Sequence, residues 1–326
     1  MPTATSAGLN ELEGANMITY WQIVKNGLLP LQSFVSGNVI NVVNPTAEEI
    51  NILKNTFKIS EDFLTDIMDI DERSRMESED DKLYIIYRVP FYNPDNGIPY
   101  ATVPLGIIIS EQAFIVIAQH DNALVSEIFA SGGRRISEFN NHSEFLLNII
   151  NHSTNAYLRY LKQINYQTNV IEKDLEKSTK NKELHKLLIM EKCLVYFTTS
   201  LRSNLMLINK IKSPKHIHAT SIPEDDLDDA IIEITQAIEM TKIYSDILSG
   251  MMDSFASVIS NNLNIVMKQL TVVTIVLMIP TLVSSFFGMN VPNALESNNY
   301  AFIIILILSI LLSVFGVLLI RTKKWI

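Results

Sequence analysis

The sequence predicts an α+β body that continues through a long stalk helix into two C-terminal membrane helices, and three observations lead there. Charged residues occur at ordinary globular density up to Lys268, and from there to Arg321 Glu296 is the one charged side chain. Short β-rich runs give way near residue 140 to helical stretches without Gly or Pro. Two apolar segments, Gln269–Phe287 and Tyr300–Ile320, are each close to the roughly 20 residues that cross a hydrocarbon core.

Residues 1–16 have neither a basic nor an apolar stretch of the kind found in signal peptides and are expected to be a loose tail. An N-terminal α/β domain is assigned to residues 17–140. Its strand candidates are Lys82–Val89, Val103–Ile109 and Ala113–Ala118, and the turn residues Asn93-Pro94-Asp95-Asn96-Gly97 separate the first two. Thr46 followed by Glu49 is the pattern of a capping box, so a helix is expected to begin there. Residues 141–213 read as a long helical hairpin turning near Ser178–Asn181 and ending at Lys212-Ser213-Pro214.

A further helix is expected from Ser221–Glu224, with Ser221 as cap, Pro223 in the first turn and acidic residues at the positive end. As the stalk, 221–268, it carries a seam in steps of three and four: Leu227, Ile231, Ile234, Ile238, Thr241, Ser245, Leu248, Met252, Phe255, Ile259, Asn262 and Val266. Such a period is expected for packing against partner helices along the length of the stalk; the alternative is burial against the chain's own domain. The first span, 269–287, runs on from this helix, a loop covers 288–299, the second span covers 300–320, and 321–326 form a basic tail. Lys268 and the Arg321, Lys323, Lys324 cluster flank the spans while the loop lacks Lys and Arg, which predicts a two-pass topology with both termini cytoplasmic. Along the first span, Met267, Thr271, Thr274, Met278, Thr281, Ser285 and Gly288 make a weakly polar, uncharged face. Helix packing and a water-filled lining both account for it.

The formal net charge of −9 argues against a nucleic-acid surface and favours divalent cations as partners. One cysteine, Cys193, excludes an internal disulfide. His216 and His218, without Cys or carboxylates beside them, read as solvated. Neither a phosphate-binding loop nor a metalloprotease or nucleophile motif is present, so an enzyme or ATP-driven pump is disfavoured.

The tract Ser260-Asn261-Asn262-Leu263-Asn264-Ile265-Val266-Met267-Lys268-Gln269-Leu270-Thr271, then Pro280-Thr281, then Phe287-Gly288-Met289-Asn290, resembles the stalk end and first membrane helix of CorA magnesium transporters. The basic, Trp-bearing tail from Arg321 to Ile326 is similar to that family's terminus; Phe287 departs from the Tyr that usually precedes the Gly. The resemblance implies a CorA-like homopentamer in the inner or plasma membrane, surrounded by lipid. It implies a selectivity filter of Gly288, Met289 and Asn290, and a pore lined by Asn264, Met267, Leu270, Thr274, Met278 and Thr281, with Leu270 rather than Thr271 on the axis. Glu296 would attract cations in the outer loop. Asp229, paired with Asp95 of a neighbour, would hold a regulatory metal. The ion implied is Mg2+, both carried and regulatory, with Co2+, Ni2+ and Zn2+ as candidate further ions. The alternatives are a zinc or other transition-metal transporter of the same superfamily and a membrane-anchored metal sensor that conducts nothing.

Overall fold

The computed structural model describes residues 18–24, 27–95, 97–130, 141–177, 181–213, 222–289 and 299–322. These form two compact units, Met1–Gly250 and Met251–Ile326. In the first, seven strands make one sheet: β1 (Ile18–Val24), β2 (Gly27–Leu31), β3 (Asn38–Val43), β4 (Arg75–Glu79), β5 (Lys82–Tyr92), β6 (Tyr100–Ile109) and β7 (Ala113–Ala118). Their order across the sheet is β2-β1-β3-β7-β6-β5-β4. β3 and β7 run parallel, with Ile40 opposite Ile115, and the other neighbours are antiparallel.

The inner strands are apolar without alternation because helices cover both faces. On one face α1 (Ala47–Phe57) and α2 (Glu61–Met68) bury Leu53, Phe63, Leu64 and Ile67 against Ile40, Ile86, Ile108 and Ile115. The expected capping box starts α1: the Thr46 hydroxyl accepts from the Glu49 amide at 3.3 Å, and the Thr46 amide donates to the Glu49 carboxylate at 2.8 Å. Gly106 lets α2 lie flat on β6, since a β-carbon there would stand 2.2 Å from Cδ1 of Ile67. The helices α3 (Ala123–Ala130), α4 (His142–Lys177) and α5 (Asn181–Lys212) pack on the sheet as well. Phe145 of α4 sits edge-on to Phe114 of β7, with ring centroids 5.0 Å apart.

β4 stops at Arg75, opposite Ile86, which leaves the outer edge of β5 bare from there on. Asn204 of α5 takes its place: its amide nitrogen donates to the Arg88 carbonyl at 2.8 Å, and its amide oxygen accepts from the Arg88 N–H at 3.1 Å. Since Arg88 points its backbone groups outward, Pro104 across from it on β6 is spared a ladder bond it could not make. The Arg88 side chain is buried and donates to neutral oxygens: the hydroxyls of Thr102 and Ser200 and the carbonyls of Ile70, Glu72 and Thr102. Burial lowers its pKa.

The stalk and first span form one helix, α6 (Glu224–Phe287), and the chain ends in α7 (Ala301–Thr322). Pro223 stands just outside α6, its carbonyl accepting from the Leu227 N–H at 3.3 Å, rather than in the first turn as expected. Ser221, the expected cap, the hairpin turn at 178–180 and the His216–His218 pair lie outside the described residues. The seam resolves in favour of the chain's own domain over its first half. Leu227, Ile234, Thr241 and Leu248 are wholly buried within one chain. From Met251 on, the seam positions are half-buried or exposed.

Candidate functional site

Among the described residues two helices, α6 and α7, are long and apolar enough to cross a membrane, and the second unit holds α7 and the C-terminal part of α6. Their packing starts from small residues on α7. Ser309, Ser313 and Gly316 fall at steps of four and three, on one face, which lets the helix backbones approach. Ser309 and Ser313 are buried, and a β-carbon on Gly316 would stand 3.1 Å from Cδ1 of Ile279. On α6 the contact face holds Val276, Ile279 and Val283, the last of these 8% exposed. The small residues of α7 went unread in the sequence because they sit inside a run whose overall signal is apolar; their spacing was the clue.

Pro280 lies in the middle of this packing without interrupting α6. A proline cannot donate to the carbonyl four residues back, which here belongs to Val276. The Ser313 hydroxyl of α7 approaches that carbonyl at 3.4 Å while also approaching the Ser309 carbonyl at 2.9 Å. The span therefore keeps its course through the proline with help from its neighbour.

The residues expected to line a pore occupy the other side of α6. At about 100° per residue, Met267, Leu270, Thr274, Met278 and Thr281 point roughly half a turn away from Val276, Ile279 and Val283. All five are exposed in the single chain, with Met267 53%, Leu270 57% and Met278 64% accessible. Asn264 and Thr271 are exposed too. The hydroxyls of Thr271, Thr274 and Thr281 each donate to the carbonyl one turn back, at 2.8, 2.8 and 2.9 Å. With the hydroxyl proton tied to the backbone, each oxygen offers only lone pairs outward. α6 ends at Phe287, and Gly288 still donates to the Ser284 carbonyl at 2.9 Å. A β-carbon on Gly288 would crowd that same oxygen at 3.1 Å. Met289 is exposed; Asn290 and Glu296 lie outside the described residues.

In the first unit the acidic start of α6 is divided by its partners. Lys212, in the last turn of α5, forms ion pairs with Glu224 at 3.3 Å and with Asp228, and the bond to Asp228 holds its ammonium pKa up. Asp229 is exposed and makes no ion pair among the described residues. Asp95 is exposed in the turn after β5, where its N–H donates to the Asn93 side chain at 3.1 Å. Among the described residues no three His, Cys, Asp or Glu side chains gather as a metal site within one chain.

Comparison with known proteins fits this arrangement. The family model for the CorA-like Mg2+ transporter protein matches residues 39–322, through the sheet domain, the long helix and both spans. The chain belongs to the CorA-like Mg2+ transporter family. The cobalt/magnesium transport protein CorA of Methanocaldococcus jannaschii is 26% identical over 88% of this chain and 90% of its own length. That of Thermotoga maritima is 22% identical over 81% of this chain and 76% of its own. The complete structure of the CorA magnesium transporter from M. jannaschii superposes with a TM-score of 0.78, at 24% identity, covering 96% of this chain and 99% of that one. That likeness carries the fold, from the mixed sheet to the C-terminal helix pair. Within this CorA-like frame the spans are membrane helices, and the face that α7 leaves open is the one bearing the back-bonded threonines.

Proposed function

We propose that the chain is one subunit of a homopentameric channel through which hydrated Mg2+ passes down its gradient into the cytoplasm, with both termini on the cytoplasmic side. The observation that carries this reading is the division of α6 into two sides. Val276, Ile279 and Val283 are taken by α7, while Met267, Leu270, Thr274, Met278 and Thr281 stay open for a shared axis.

The chemistry of that open side suits a hydrated cation. Mg2+ gives up its water shell reluctantly, and the shell presents hydrogens outward. Threonine oxygens whose protons are committed to the backbone accept from those waters and bring no charge that would trap the ion. Met267 and Leu270, one turn apart towards the cytoplasm, supply bulk without polarity and form the constriction. Gly288, Met289 and Asn290 at the outer end form the filter, with the Asn290 amide oxygen receiving the hydrated ion. Glu296 raises cation concentration at the outer mouth. Co2+ has the same charge and a similar preference for six oxygen ligands, so it competes for the same route. Intracellular Mg2+ closes the channel by bridging Asp229 to Asp95 of the neighbouring subunit; α6, which bears Asp229, also bears Met267.

Mg2+ uptake into proteoliposomes loaded with a magnesium-sensitive dye tests the reading. Uptake driven by the concentration gradient alone is expected, and Asn290→Ala should abolish it while the purified assembly keeps its mass. Absence of uptake by the parent protein, or full uptake by Asn290→Ala, would remove the assignment.

A further inference from the structure

Two unpartnered surfaces in the first unit match each other. The first is a groove of about 520 Å³ where the turn after β5 meets α4 and α5. Pro99, Tyr166, Val170, Ile189 and Met190 form its apolar walls, and Lys186 is the charged residue among its lining. Tyr166 is 70% exposed and Val170 43%, a large apolar exposure at the mouth of a concave site. The second surface is the side of α6 facing away from its own domain. While Leu227, Ala230, Ile234, Ala237, Thr241 and Leu248 are buried, the opposite stripe stays in solvent. That stripe reads Asp225, Asp229, Ile232, Gln236, Glu239, Ile243 and Ile247. Ile232 is 64% exposed, with an acid one turn before it and another two turns after.

We propose that Ile232 of one subunit inserts into the groove of the next, seated between Tyr166 and Val170, with Glu239 drawn towards Lys186. The occupant is a second copy of this chain because ridge and groove occur once each on every copy and complement each other in charge, the ridge acidic around an apolar residue and the groove apolar around Lys186. A contact between unlike surfaces uses both on each subunit and closes into a ring when the rotation permits. Pairing of two identical α6 ridges would bring Asp225, Asp229 and Glu239 against their own images and leave every groove empty. An acyl chain would fill the groove without answering the acidic flanks of Ile232. The inference rests on the reading above only in requiring several copies around one axis, and it is independent of which ion is carried.

Cysteine cross-linking in native membranes tests it on the full chain. The native Cys193 is buried, and burial pushes its thiol up to about 11, so it stays silent near neutral pH. Ile232→Cys and Val170→Cys in the same chain should give a disulfide ladder rising to the full ring, and neither single variant should give one. A ladder from Ile232→Cys alone would mean that ridge meets ridge, and no ladder from the double variant would mean that the groove is not the docking site; either overturns the proposal. As a second measurement, Ile232→Lys should reduce the fraction of full-size assembly severalfold, and Lys186→Glu in the same chain should restore it; failure of that rescue counts against the contact as well. Mg2+ uptake measured on the same membranes separates the two readings: uptake without cross-linking overturns the docking alone, and cross-linking without uptake overturns the transport alone.

Discussion

Ser313 approaches the Val276 carbonyl that Pro280 leaves without its helical donor, at 3.4 Å, so the proline of one span and the serine of the other are coupled across the helix pair. The serine proton is shared with the shorter bond to Ser309, which limits the strength of the link. Ser313→Ala should cost about 0.5–1 kcal/mol in the stability of the helix pair. With Pro280→Ala in place the backbone bond returns, and the same serine change should cost close to nothing. A double-mutant cycle read by unfolding in mixed micelles measures the difference; equal costs in both backgrounds would show that the serine acts by packing alone.

Gly316 sets how closely the spans approach. Gly316→Ala should be tolerated, because Cδ1 of Ile279 is the end of a movable side chain and needs to yield only a few tenths of an ångström. Gly316→Leu cannot be absorbed that way and should cost about 1–3 kcal/mol by overpacking. Midpoints of thermal aggregation in detergent should therefore order glycine and alanine together, well above leucine.

Asn204 is predicted to be the most sensitive polar residue of the sheet domain. Asn204→Leu leaves the Arg88 N–H buried without a partner and the Arg88 carbonyl with the Tyr157 hydroxyl alone, at 3.1 Å, at a cost of about 1–3 kcal/mol. Asn204→Asp keeps an acceptor for the N–H but turns an oxygen towards the Arg88 carbonyl, so it is expected to fall between leucine and the parent. Circular dichroism melting of the full chain reads the order directly.

The two sides of α6 should differ in access to water. In the full-length protein with Cys193 silent, Thr274→Cys and Met278→Cys should react with a membrane-impermeant thiol reagent and block uptake. Ile279→Cys and Val283→Cys, packed against α7, should react at least tenfold more slowly. Equal rates on both sides would place the conduction route elsewhere.

If internal Mg2+ closes the channel at Asp229, then Asp229→Ala should shift inhibition to higher Mg2+ concentration in inside-out patches. Asp228→Ala should not, because Asp228 is held by Lys212 and its loss frees the lysine rather than a metal ligand. A shift from Asp228→Ala as large as that from Asp229→Ala would point to the general charge of the helix start instead of a ligand at one position.

Much of this was legible in the sequence for identifiable physical reasons. The gap in charge between Lys268 and Arg321 marks the membrane because a bare charge in hydrocarbon is costly. Thr46 and Glu49 announce α1 because capping is local chemistry, and the unbroken apolar runs of β5, β6 and β7 reflect a sheet covered on both faces. What stayed hidden depends on partners distant in sequence. A 3.5-residue seam looks the same whether it meets a neighbour or its own domain, so the burial of Leu227 through Leu248 could not be read from spacing. Asn204 belongs to no pattern, since its role arises where β4 stops short of β5. Ser313 took on meaning only once Pro280 was found beside it.

The parallel pairing of β3 with β7 has a consequence for how the chain is born. β1, β2 and β3 join through short connections, and so do β4, β5, β6 and β7, so each half of the sheet can assemble from neighbours in the chain as it leaves the ribosome. The halves meet only along the line from Asn38–Ala113 to Val43–Ala118, so β3 must wait for β7 to be synthesised. During that interval Val39, Ile40 and Val42, fully covered in the finished domain, line a bare strand edge that invites pairing with another nascent chain. Translation slowed between Asn44 and Gln112 should therefore lower the yield of folded protein, whereas the same delay after Ala118 should leave it unchanged.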